Sequence, residues 1–215
     1  AKVDYASAFG YSNEASGLAS SAVGFRNKAA SENASAIGYG NNANALAASA
    51  VGYNNTAGGV GSSTIGYNNT ATNENASAFG YGNTAGGLAS SAFGFSNTAS
   101  GDNANAFGYN NIASGSKSNV FGTGNTVSGS SSTAVGTANE VAAENSTAIG
   151  NNNTISSSAE NSAALGNNIS ISLKDSVALG NNSTATAINS VTGNSSYTKW
   201  AGVSDVVGVV SVGSS

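Results

Sequence analysis

The chain has 215 residues, a net charge of −4 and 7% charged side chains, against roughly 25% in ordinary soluble proteins. It has no Cys, His, Met or Pro, which excludes a disulfide framework, a Ser-His-Asp or Cys-His site and a zinc centre of the ordinary type. Its six Lys and Arg residues are scattered, so nothing supports nucleic-acid binding, and no run of about 18 apolar residues exists to span a membrane as a helix.

The first element is a short beat, Ser7-Ala8-Phe9-Gly10, which returns as Ser21-Ala22-Val23-Gly24, Asn33-Ala34-Ser35-Ala36-Ile37-Gly38 and Ser49-Ala50-Val51-Gly52. The beat glycines fall at 10, 24, 38, 52, 66, 80, 94, 108, 122, 136 and 150, then at 166 and 180 after one step of sixteen. A period this strict marks a repeat architecture. The beat is already running at Ala6, so the chain is expected to be a segment of a longer protein.

With each beat glycine as position zero, position −2 is Ala except at Thr64 and Val120, and position −1 is always large and apolar, from Phe9 to Leu179. Position +1 is aromatic in eight repeats, Tyr11 to Tyr109, and then becomes Thr123, Thr137, Asn151, Asn167 and Asn181. Position +3 is Asn from Asn13 through Asn153, and position +5 is Ala or a branched residue. Two heptads also span fourteen residues, but a coiled coil needs Leu or Ile at a and d with charged e and g positions. Gly and Asn at this density would cost a helix several kcal/mol per period. Alternation of large and small residues around the beat, with turn signals such as Gly58-Gly59 and Gly86-Gly87, points to strands and bends.

The predicted fold is all-β: a β-solenoid with one 14-residue coil per period, each holding two strands of about five residues and two bends. At roughly 4.8 Å per coil, thirteen coils make a rod about 60 Å long. The Asn column at +3 is expected to form an amide ladder and to mark a bend, since Asn tolerates positive φ. The large residue at −1 is expected to fill the roll, and the small Ala at −2 to form a row along which copies approach. Beat glycines such as Gly38 are expected to occupy a backbone position too tight for a side chain. So thin a roll cannot bury enough apolar surface alone, so an obligate homo-oligomer is predicted.

Position +8 alternates between apolar residues (Leu18, Leu46, Val60, Leu88) and acidic ones (Glu32, Glu74, Asp102, Glu144). A column with both is expected to be exposed, either as a bend over the oligomer seam or as a discontinuous apolar stripe open to a ligand. Residues 1–188 form the predicted roll of thirteen repeats. Residues 189–215 leave the pattern; Trp200 and the Val-rich run Val203 to Val212 suit a cap over the last coil's open edge.

No catalytic constellation emerges, and no metal or cofactor is expected. Glu140 and Glu144 fall in different columns, and the calcium-binding Gly-Gly-x-Gly-x-Asp repeat is absent. Three-sided hexapeptide coils have a period of about 18 residues, which does not match. Thr56, Thr70, Thr84 and Thr98 at +4, expected in bends, leave a short Thr column of the kind that ice-binding solenoids present. Sequons such as Asn33-Ala34-Ser35 and Asn54-Asn55-Thr56 follow trivially from the composition.

The beat, seen again in Asn145-Ser146-Thr147-Ala148-Ile149-Gly150 and Asp175-Ser176-Val177-Ala178-Leu179-Gly180, resembles the head repeats of YadA-like trimeric autotransporter adhesins over residues 1 to about 188. The stretch Asp205-Val206-Val207-Gly208-Val209-Val210-Ser211-Val212-Gly213 resembles the segment before the neck in such proteins. The resemblance implies a left-handed parallel β-roll, a homotrimeric head, and display on the outer membrane of a Gram-negative bacterium. It implies adhesion, without catalysis, to host matrix proteins (collagen, fibronectin, laminin), to epithelial receptors or to sister cells; the alternative is a stiff spacer that displays a binding site elsewhere. The surface candidates are Leu18, Leu46, Val60 and Leu88 at +8, and Tyr39 and Tyr53 at +1.

Overall fold

A computed structural model describes residues 1, 3–186 and 210–212. Each beat but the last forms a five-residue strand, as in Ser21–Phe25, Ser35–Tyr39 and Ser49–Tyr53, and the last forms Val177–Leu179. The +4 and +5 residues form a two-residue strand, as in Lys28–Ala29 and Thr56–Ala57. Neighbouring coils pair parallel and in register, so Gly24 faces Gly38 and Gly38 faces Gly52. The result is a parallel β-solenoid with a long-strand sheet of fourteen strands and a short-strand sheet of thirteen. The fourteenth long-sheet strand is Val210–Val212, paired with Val177–Leu179 of the last coil. Tyr197, Trp200 and Val203 to Val209 lie outside the described residues.

Each 14-residue coil turns at two left-handed residues, seven apart. One is at +2 (Ser12, Arg26, Gly40, Asn54) and the other at +9 (Ala19, Asn33, Ala47, Gly61), all with φ of 53° to 64°. Asn and Gly suit such corners, because other residues crowd their own carbonyl there. The Asn column at +3 therefore lies one residue past a positive-φ corner and does not itself bend the chain, contrary to the sequence expectation. The second strand is also shorter than expected. Thr56, Thr70, Thr84 and Thr98 sit on these short strands, not in bends.

The sidedness of the roll reverses the sequence expectation. The −2 residues from Ala22 to Ala178 point inward and are fully buried, as are the +5 residues from Ala15 to Ile171. The large −1 residues point outward: Ile37 is 41% exposed and Ile65 48%. The reason is geometric. Strand side chains alternate between faces, and a coil with one long and one very short strand leaves a narrow space between its sheets, filled by Ala in most coils and by Val or Ile in a few. Ala, not Phe, is the size that fits.

The interior is polar at its corner. Asn69 donates from Nδ2 to the Asn55 Oδ1 of the preceding coil (3.0 Å), to the Ile65 carbonyl (3.0 Å) and to the Gly80 carbonyl of the next coil (2.7 Å). Its Oδ1 accepts from the Asn83 backbone N–H and from Asn83 Nδ2. The same set repeats in each coil to Asn153. Buried amides need all their partners, and this ladder supplies them. It also explains the beat glycine. Gly66 adopts φ +120°, which aligns its carbonyl for the Asn of the coil before; a Cβ there would lie 2.1 Å from the Gly80 oxygen and 3.1 Å from Asn69 Nδ2. The tight backbone position expected at Gly38 is thus observed, with φ +120° and the Gly52 oxygen 2.1 Å from a would-be Cβ.

The step of sixteen is absorbed in one bend. Thr147 pairs directly with Ala163, and the two additional residues lie in the turn before Ser162, where the Asn161 N–H still bonds to the Glu144 carbonyl.

Candidate functional surface

The long sheet's outer face carries three rows, at −3, −1 and +1. Position −3 is small and half-buried, as at Ser35 and Ser49. Position −1 is an apolar row that runs through all thirteen coils, with Phe79, Phe93, Phe107 and Phe121 in contact at centroid distances of 4.7 to 5.3 Å. Position +1 holds a continuous stack of eight rings, Tyr11-Phe25-Tyr39-Tyr53-Tyr67-Tyr81-Phe95-Tyr109. Its centroids are 4.8 to 4.9 Å apart between Tyr39 and Tyr81, with planes within 5°. In-register parallel pairing imposes this, because identical residues on adjoining strands repeat at the strand spacing. Arg26 lies over the Phe25 ring at 5.1 Å, a cation–π contact.

In the last coils the +1 row changes chemistry. Asn151 donates to Asn167 (2.7 Å) and Asn167 to Asn181 (2.8 Å), an exposed amide ladder in line with the aromatic one.

The sequence-derived candidates separate into two places. Tyr39 and Tyr53 lie in the aromatic row, 40% and 41% exposed. Leu18, Leu46, Val60 and Leu88 are exposed as expected, but on the bend that enters the long strand. The five-residue strand therefore keeps the two groups apart. Leu46 and Val60 occupy consecutive coils, while Glu32 and Glu74 interrupt the column on either side. The outward −1 row, including Ile37, Ile65 and Phe121, is the larger surface, and the sequence reading assigned it to the interior. The inward Ala at −2 was the available signal: a strictly small column beside a variable large one marks the confined side.

Among the described residues no His, Cys, Asp and Glu cluster is arranged to hold a metal, and the only buried side-chain polar atoms lacking a partner are Ser20 Oγ and Asn42 Oδ1. A long, flat, nearly uncharged face with regular apolar rows defines a solenoid built to present surface. Its sequence places that solenoid. Residues 4–27, 29–55, 57–83, 85–111, 128–153 and 174–191 match the family model for the YadA head domain repeat, and the chain belongs to that family. YadA-like heads are adhesin-type, extracellular parts of trimeric autotransporters. The structure carries the roll without interruption through the intervening residues, with strands at Asn119–Thr123 and Ala163–Asn167. Comparison with curated proteins finds no match.

Proposed function

We propose that the chain is the head of a bacterial surface adhesin, displayed from the outer membrane as a homotrimer. It attaches to host matrix proteins (collagen, fibronectin or laminin), to epithelial receptors or to sister cells. The observation that carries the assembly is the unbroken −1 row. Thirteen outward Phe, Val, Ile and Leu side chains in line far exceed the few hundred Å² of apolar patch that a monomer ordinarily exposes. Three copies packed along this row bury it, which leaves the short-strand sheet, both bends and the +1 row at the end of the long strand to solvent. Many weak contacts on three identical faces then add through avidity.

Sedimentation equilibrium is expected to show a trimer, and Ile65→Asp with Ile149→Asp to abolish it together with cooperative thermal unfolding; a folded wild-type monomer at micromolar concentration would overturn the assembly. Solid-phase assays on the three matrix proteins and on epithelial cells test adhesion, with saturable binding expected. The uniform, fully paired coil also supports a second reading, a stiff spacer that displays a site elsewhere; the absence of saturable binding to all of these surfaces would favour it.

A further inference from the structure

The aromatic row does something that the apolar row does not. A residue required along a seam must run the seam's full length, as −1 does from Phe9 to Leu179. The +1 row stops being aromatic after Tyr109, where Thr and Asn take over while the roll continues unchanged. Within that row, Tyr39, Tyr53, Tyr67 and Tyr81 form one uninterrupted block of phenols, each 40% to 47% exposed. Phe25 and Phe95 close the block at both ends.

We propose that this block is an oxidative modification site, where phenols on adjoining coils couple to dityrosine and tie coil to coil covalently. The co-reactant is a one-electron oxidant of the haem-peroxidase class with hydrogen peroxide. Each of two phenols gives up one electron and one proton. The two phenoxyl radicals join through a new Cε–Cε bond, and the hydrogen on each coupled carbon moves to oxygen as the ring regains aromaticity. Two hydrogens are lost in total, and one peroxide is reduced to two waters.

The geometry favours this outcome. Nearly parallel rings related by one strand spacing hold corresponding Cε atoms about 4.8 Å apart, and half-exposed rings swing on the nanosecond scale, so a radical meets its neighbour before it meets another molecule. The chain has no Cys, Met or His, and its only Trp is Trp200, outside the described residues. The phenols are therefore the oxidisable groups of the roll. The other tyrosines among the described residues serve as internal controls. Tyr11 stacks on Phe25, Tyr109 stacks on Phe95 and faces Thr123, and Tyr5 sits at the other corner, where Asp4 bonds Ala19.

The test is oxidation of the intact chain with horseradish peroxidase and hydrogen peroxide, followed by dityrosine fluorescence, intact mass and peptide mapping. Expected are intrachain links 39–53, 53–67 or 67–81, each with a mass loss of two hydrogens. Tyr53→Phe with Tyr81→Phe keeps every ring in the stack but leaves no two phenols adjacent; it is expected to lose nearly all intrachain dityrosine, with the circular dichroism spectrum unchanged. Tyr11→Phe with Tyr109→Phe is expected to leave the yield as in wild type. Undiminished intrachain coupling in the first double variant overturns the proposal. So does coupling only between chains, or tyrosine consumption without coupling.

Discussion

Coils one to eight and coils nine to thirteen share one backbone and distribute their bulk in opposite ways. In the earlier coils the +5 side chain inside the roll is Ala, from Ala15 to Ala113, while an aromatic ring stands outside at +1. In coils nine to twelve the inside residue grows to Val127, Val141, Ile155 and Ile171, all fully buried, before the thirteenth returns to Ala185, while the outside residue is Thr or Asn in all five. The later coils bury their own apolar mass; the earlier ones display it. The aromatic row is thus not a folding requirement of the roll, since five coils form the same in-register stack without it.

The strongest way to break this comparison is through what both regions share. Gly66→Ala and Gly136→Ala each place a Cβ within 2.1 Å of the next coil's glycine oxygen at a φ that only glycine tolerates. Both are expected to cost more than about 3 kcal/mol, read as loss of cooperative thermal unfolding; equal damage in the two halves confirms that the beat is common to them. Asn69→Ala strips partners from the Asn83 N–H, Asn55 Oδ1 and two carbonyls. At about 1–3 kcal/mol per orphaned group, its urea midpoint is expected to fall nearly as far.

The next effect separates the halves. Ile155→Ala is expected to cost about 2–5 kcal/mol by chemical denaturation, because that side chain is fully buried. Tyr53→Thr, which copies the later coils' surface onto an earlier one, is expected to change single-chain stability by less than about 1 kcal/mol. A large loss there would show that the aromatic row does hold the roll together. The smallest expected effect is a gain. Ala47 and Ala89 occupy left-handed corners with φ 53° and 50°, where other coils place Asn or Gly. Ala89→Gly is expected to raise stability by about 0.5–1 kcal/mol, seen as a higher melting temperature.

The coil length, the strand of the beat and the in-register stack were legible in the sequence, because a fixed period leaves one way to place identical residues. The Asn ladder was legible for the same reason. Sidedness was not. Alternation says that Ala36 and Ile37 face opposite ways, but not which way is in, and the habit of placing the larger residue inside gives the wrong answer for a roll too narrow for a column of aromatic rings. The Leu18 and Tyr39 columns were correctly read as exposed because their residue types vary or repeat without a core's demands. That a bend and a strand end keep these columns apart required coordinates, since the corner residues at +2 and +9 include Arg26, Lys117 and Ala138, which give no turn signal.

The Asn–Gly coupling has a consequence for how such a rod changes length. Each Asn reaches only the coil before and the coil after, so every coil from Asn27 to Asn139 is a complete and interchangeable rung. Duplicating or deleting one 14-residue unit in the gene adds or removes about 4.8 Å of reach and leaves no amide unpaired. The sixteen-residue coil shows that an imprecise join is absorbed in a bend while the strands stay in register, although the amide ladder ends there, with the Asn153 Oδ1 accepting from the Ile169 N–H. Reach is therefore a heritable quantity that recombination can adjust one coil at a time, independently of what the surface binds.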